Sequence, residues 1–154
     1  MKRFINIRSL MITIVLLLGA IPAAAVERPF ALSGTGVAVL FTDEAGKPIS
    51  ADVTGSGTAT HLGSWTTAGT VRYSEDNGVM RSHAETTIIV ANGDKLNVVI
   101  DGALDLNTVT DHGTFTFVGG TGRFQGASGS ADFVVSINPL TGGFELTVVG
   151  RINY

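Results

Sequence analysis

The chain has 154 residues, no cysteine, 15% charged residues, 44% hydrophobic residues and 20 glycines against four prolines. That length suits a single domain. Zinc ribbons, thiol-redox centres, disulfide scaffolds and lipoprotein anchors all need cysteine and are excluded. Thirteen Asp and Glu against ten Lys and Arg exclude a basic nucleic-acid-binding surface.

The first predicted element is an address. Lys2, Arg3 and Arg8 form a positive n-region, Leu10 to Ile21 is apolar, and Pro22 precedes Ala23, Ala24 and Ala25. This three-part layout reads as a secretory signal peptide over residues 1–25, cut after Ala25 where the small side chains fit signal peptidase. The uncharged run from Ser9 to Val26 is 18 residues, short of the roughly 20 a bilayer span requires. Cleavage therefore leaves no membrane span and implies a periplasmic or extracellular protein. It removes three of the ten basic residues, leaving seven against 13 acidic ones, a formal charge of −6. Such acidity favours solubility and disfavours anionic lipid, phosphate and nucleic acid as partners. Without a disulfide, the exported domain must be held by packing alone.

From residue 26 onward the hydrophobic period is two, with no stretch at helical spacing. Strands are predicted near 30–41, 49–61, 65–73, 79–91, 95–106, 113–118, 127–137 and 144–154. Alternation gives each a dry face. In the second it is Ile49, Ala51, Val53 and Ala59, continuing to His61. In the fourth it is Met80, Ala84, Thr86, Ile88 and Val90, leaving Arg81, His83 and Glu85 as a solvated outer stripe. The fifth offers Leu96, Val98, Ile100, Leu104 and Leu106, the seventh Ala131, Phe133, Val135 and Ile137, and the last Phe144, Leu146, Val148, Ile152 and Tyr154. The first strand alternates poorly. Turn residues at 43–48, 75–78, 92–94 and 138–143 separate these runs as hairpins. Eight antiparallel strands with short connections predict an all-β, up-and-down barrel, because closure removes exposed edges and the strand glycines suit barrel corners. A β-sandwich is the competing architecture.

The stretch Gly113–Ala131, GTFTFVGGTGRFQGASGSA, resembles the glycine-rich hairpin of the allene oxide cyclase and dirigent barrel superfamily, through Gly119, Gly120, Thr121, Gly122, Phe124, Gly126, Ala127 and Gly129. Gly57-Thr58-Ala59-Thr60-His61-Leu62-Gly63 resembles a motif of small bacterial exported proteins of this barrel type. The resemblance implies a barrel, homo-oligomeric assembly, and a hydrophobic lumen that acts by steric confinement, on a fatty-acid epoxide in the cyclases and on phenoxy radicals in the dirigent proteins. No catalytic acid of either family matches a residue here.

The loop at Gly119, Gly120, Gly122 and Gly126 mimics a dinucleotide fingerprint, but a strand follows it rather than a helix, so it reads as a structural hairpin. Asp105, Asn107 and Asp111 lack the spacing of a calcium loop. No metal site, cofactor site or hydrolase motif is predicted. The candidate lumen residues are His61, Trp65, Tyr73, Phe115, Phe117 and Tyr154, and the function expected is non-catalytic binding of a small apolar molecule. Two alternatives stand beside it. One is a cyclase-like or dirigent-like catalyst using Tyr73, His61 or Tyr154. The other is a solid barrel, filled by Phe30, Phe41, Phe115, Phe117, Phe124, Phe133 and Phe144, whose outward Val99, Val134 and Val149 contact a partner.

Overall fold

A computed structural model describes residues 26–154; the signal peptide read over residues 1–25 lies outside the described residues. Eight strands run in chain order around a closed antiparallel barrel: β1 (Glu27–Thr42), β2 (Pro48–Ala59), β3 (Gly63–Asp76), β4 (Val79–Val90), β5 (Lys95–Asp105), β6 (Thr110–Gly120), β7 (Ser128–Ile137) and β8 (Gly143–Asn153). Closure is made by β1 and β8, paired from Glu27↔Asn153 to Val37↔Gly143. That pairing rules out the sandwich, which would leave both strands as edges. Among the described residues no helix is long and apolar enough to cross a membrane.

The turns divide between two ends. At one end lie the β1–β2, β3–β4, β5–β6 and β7–β8 turns. Asp43 Oδ1 accepts the Ala45 and Lys47 amides, both at 2.9 Å, in the first of these. Asn77 and Gly78 adopt positive φ in the second, as a two-residue hairpin turn demands. The β5–β6 turn carries no glycine; Val109 takes a φ of 52° there, in a region a β-branched side chain disfavours. This hides the turn from sequence reading and explains why β6 begins at Thr110 rather than 113. At the other end the β2–β3, β4–β5 and β6–β7 connections meet the start of β1 and the end of β8.

That second end is the closed base. Leu62 from the β2–β3 turn and Phe124 from a single 3-10 turn (Gly122–Phe124) are buried beneath Phe30, Leu96, Val98, Phe117, Val148 and Ile152. The Phe30 and Phe117 rings meet edge to face at 4.8 Å. The predicted hairpin at Gly119–Gly126 is thus also a plug. Gly119 and Gly122 supply its positive φ, and a side chain at Gly120 would strike the Lys95 carbonyl.

Several inward assignments need correction. Ile49 is 49% exposed because β1 and β2 slip register at Phe41/Thr42, which breaks the alternation of β2 at its first residues. Leu106 is 53% exposed, since β5 ends at Asp105 and the next residue belongs to a turn. Phe41 is 45% exposed near the end of β1, where the ladder with β8 has already stopped, so it fills nothing. Arg81, His83 and Glu85 do face outward, and His83 Nδ1 lies 2.7 Å from Asp101 Oδ1 on the neighbouring strand. Val134 and Val149 are exposed and Val99 is half-buried.

Candidate functional site

Above the base the lumen does not fill. A cavity of about 100 Å³ remains there, bordered by Leu32, Val53, Trp65, Ile88, Ile100, Phe115, Phe133, Val135 and Phe144 among others. Eight strands enclose an interior that side chains can either pack solid or leave large enough for one molecule. Here the glycines set the balance. A side chain at Gly34 would collide with the Trp65 indole, and one at Gly36 with the Phe144 ring, so on β1 these two rings lie over bare backbone.

The candidate residues separate into three groups. Trp65 and Phe115 are buried and border the cavity, and Tyr73 joins them, half-buried. Phe117 is buried in the base beside Phe30, and Tyr154 is half-buried there, its ring 5.2 Å from that of Phe124. His61 does not reach the lumen. It is exposed in the β2–β3 turn with φ 64°, because β2 ends at Ala59 and strand parity does not carry through a turn. It therefore does not join Trp65, which lies on the base side of the cavity. The indole N–H of Trp65 has no acceptor among the described residues.

Sequence reading missed the polar centre of the lumen. Asp111 on β6 is 6% exposed, and its Oδ1 accepts the hydroxyl of buried Ser82 on β4 at 2.9 Å. Tyr73, paired with Ser82 across the β3–β4 ladder, completes the cluster. Burial pushes the Asp111 carboxyl above the usual carboxylate range, against the opposing pull of the Ser82 hydroxyl. Burial, and then the Asp111 charge, push the Tyr73 phenol up to about 12. Both groups are thus biased to keep their protons in a dry site. The signal was available: Asp111 shares parity with Phe115 and Phe117, and Ser82 with Met80 and Ala84. Reading Asp111 with Asp105 and Asn107 obscured it. Asp105 in fact faces solvent and accepts the Asn107 amide.

Ser82 and Asp111 stand on strands separated by β5, and they touch because the residue between them is Gly102. A Cβ there would lie 2.7 Å from Ser82 Oγ and 2.8 Å from both Asp111 Oδ1 and the Phe133 ring. Gly102→Ala is therefore expected to part the pair and cost about 1–3 kcal/mol, through overpacking and a buried carboxyl left without its donor. Urea denaturation measures it, and Gly126→Ala, where nothing lies within 4 Å, is the control. Among the described residues no group of three or more His, Asp or Glu could hold a metal ion.

No protein-family model and no curated protein matches the sequence. Solved structures do match. The chain is similar to the pterocarpan synthase dirigent protein GePTS1, with a TM-score of 0.57 at 16% identity over 84% of this chain and 93% of that one. It is similar also to the pterocarpan synthase dirigent protein PsPTS1, with a TM-score of 0.59 at 14% identity over 85% and 96%. The fold is the dirigent-type eight-stranded barrel, as the glycine-rich hairpin implied.

Proposed function

We propose that this dirigent-type barrel is an exported cup that binds a small, uncharged, largely apolar molecule carrying one hydroxyl or carbonyl group. The observation that carries the reading is the lumen itself: closed at the base, empty above it, and walled by aliphatic and aromatic side chains around one polar cluster. Sites of this composition take ligands whose apolar body is desolvated and whose orientation is set by a few polar contacts. Tyr73 and Asp111, which border the cavity, supply those contacts, and Ser82 holds Asp111 in place. Trp65 and Phe115 give the flat apolar surface, Phe117 and Tyr154 support the floor, and His61 has no part. Export follows from the N-terminal segment 1–25. Self-association through exposed Val134 and Val149 belongs to the same picture of an extracytoplasmic barrel.

Native mass spectrometry of the protein isolated from its exporting host tests both halves of the proposal. The expected polypeptide begins at Val26, and the folded species carries an additional small mass that denaturation releases. A bare polypeptide that also fails to take up apolar compounds overturns the binding reading.

A second reading, catalysis by confinement, is favoured by one observation, the buried Asp111 carboxyl that borders the cavity beside Ser82 and Tyr73. A carboxyl so placed is positioned to exchange a proton with a bound molecule. Asp111→Asn separates the two readings, since it keeps the shape and the acceptor for Ser82 while abolishing proton transfer. A carrier retains its ligand in that variant; a catalyst retains binding and loses turnover. The same variant reports on stability. A carboxyl whose folded pKa is raised binds more protons folded than unfolded, so stability falls as pH rises from the ordinary carboxylate range through the raised value. The Asn variant is expected to lack that decline when urea midpoints are compared from pH 4 to 8.

A further inference from the structure

The β3–β4 ladder has a gap. Pairs run from Trp65↔Val90 to Thr67↔Ile88 and resume from Arg72↔His83 to Asp76↔Val79 in the same register, so Ala68–Val71 and Ala84–Thr87 have no partners across this seam while keeping those on β2 and β5. Between the other neighbouring strands, interruptions are confined to register shifts of single residues. Side chains span one end of the gap. Thr67 Oγ1 lies 2.9 Å from Thr86 Oγ1 and donates to the Thr87 carbonyl at 2.9 Å. In the middle, Thr86 Oγ1 reaches over Gly69 to the Ala68 carbonyl at a long 3.5 Å, and the Thr70 hydroxyl is turned away to Asp52 on β2 at 2.7 Å.

The cavity borders this seam along its whole length, touching Thr67, Gly69, Thr70 and Val71 on one strand and Ala84, Thr86 and Ile88 on the other. Its volume of about 100 Å³ poses a size problem. A cavity of about 150 Å³ accommodates benzene, and ligand sites for larger molecules occupy about 300–1,000 Å³. A molecule of two rings or more can enter only if a wall yields. Parting any other strand pair breaks a continuous run of ladder hydrogen bonds, whereas at the seam ladder pairing is already absent over four residues and only the Thr67 and Thr86 hydroxyls bridge it.

Resting on the lumen-binding reading above, we propose that the β3–β4 seam is an expansion joint: the strands part between Ala68–Val71 and Ala84–Thr87 to admit an uncharged apolar molecule of about two fused or linked rings. The binding volume is then set by how far the seam opens, and smaller molecules need no opening.

The absence of cysteine makes the test clean. Thr70 and Glu85 face each other across the gap in the register that holds on both sides, and both are exposed. A Thr70→Cys/Glu85→Cys disulfide locks the seam, and the reduced form of the same protein is the reference. The two probes are xenon, followed by NMR, and fluorescent N-phenyl-1-naphthylamine. The expected result is that oxidation leaves the xenon Kd within about twofold and weakens N-phenyl-1-naphthylamine at least tenfold. Equal affinity for the larger probe in both redox states overturns the joint, as does binding of xenon alone in the reduced state. If the reduced and the unaltered proteins bind neither probe, the lumen reading falls as well. Hydrogen exchange on the unaltered chain is the second measurement. Those amides within 68–71 and 84–87 that point across the seam are expected to exchange faster than their strand neighbours and to change protection when N-phenyl-1-naphthylamine binds; uniform slow exchange that the probe leaves unaltered overturns the proposal.

Discussion

Phe124→Ala is expected to destabilise the domain by about 3–5 kcal/mol, the range for removing a buried aromatic ring from a core. The side chain is fully buried, its ring meets Tyr154 edge to face at 5.2 Å, and the Arg123 guanidinium stacks on it at 4.8 Å. It occupies a 3-10 turn fastened by the Phe124 amide to the Thr121 carbonyl and the Ala127 amide to the Phe124 carbonyl, both at 3.0 Å. The backbone of that turn is fixed, so the floor cannot collapse into the space the ring leaves. Native domains are stable by only about 5–15 kcal/mol, and no disulfide constrains this chain. The loss is therefore a large share of the whole, with a Tm decrease on the order of 10 °C or more. Urea unfolding measures it. Phe41→Ala, on an exposed ring, is the matched control, expected to cost less than about 1 kcal/mol. Equal losses at both positions would mean that the base is not the anchor of the barrel.

The second large effect is alkaline. Tyr73 has its phenol raised from an ordinary 10.0 to about 12 by burial and by the Asp111 charge. The unfolded chain releases this proton first, so the folded state binds more protons between the two values. The contribution is complete below pH 10 and is lost as pH rises toward 12. Each unit corresponds to about 1.4 kcal/mol, and partial exposure of Tyr73 reduces the total to on the order of 2 kcal/mol. Tyr73→Phe is expected to lack this component, so the urea midpoints of the two proteins converge as pH rises from 10 to 12. Tyrosinate absorbance near 295 nm gives the same answer independently, as a late-titrating phenol missing from the variant. A Tyr73 that ionises at its ordinary value would place it in water and remove it from the lumen cluster.

Much of this architecture is legible in linear order. Period-two alternation and turn residues such as Asn77-Gly78 mark eight strands, because side-chain alternation and positive-φ tolerance are local properties of the chain. Parity alone places Trp65, Phe115 and Phe117 inside. It fails where the chain stops being a strand or slips: at His61 and Leu106 in turns, at Ile49 beside the β1–β2 slip, and at the β5–β6 turn, where Val109 does what a glycine would do elsewhere. The glycine-rich hairpin also announces the barrel type, though not that its Phe124 becomes the floor.

What alternation cannot encode is which residue on one strand lies beside which on another. Ser82 and Asp111 are 29 residues apart and become partners only because barrel closure sets β4, β5 and β6 in a register that puts Gly102 between them. The open lumen has the same origin. Seven phenylalanines suggest a packed interior, yet Phe41 points away, Phe30, Phe117 and Phe124 crowd the base, and Phe115, Phe133 and Phe144 line the cavity instead of filling it. The seam between β3 and β4 is invisible in composition, since Ala68–Val71 reads as ordinary strand. Local pattern settles what each residue prefers and which way it faces; register, closure and the distribution of volume along the barrel axis depend on all eight strands at once.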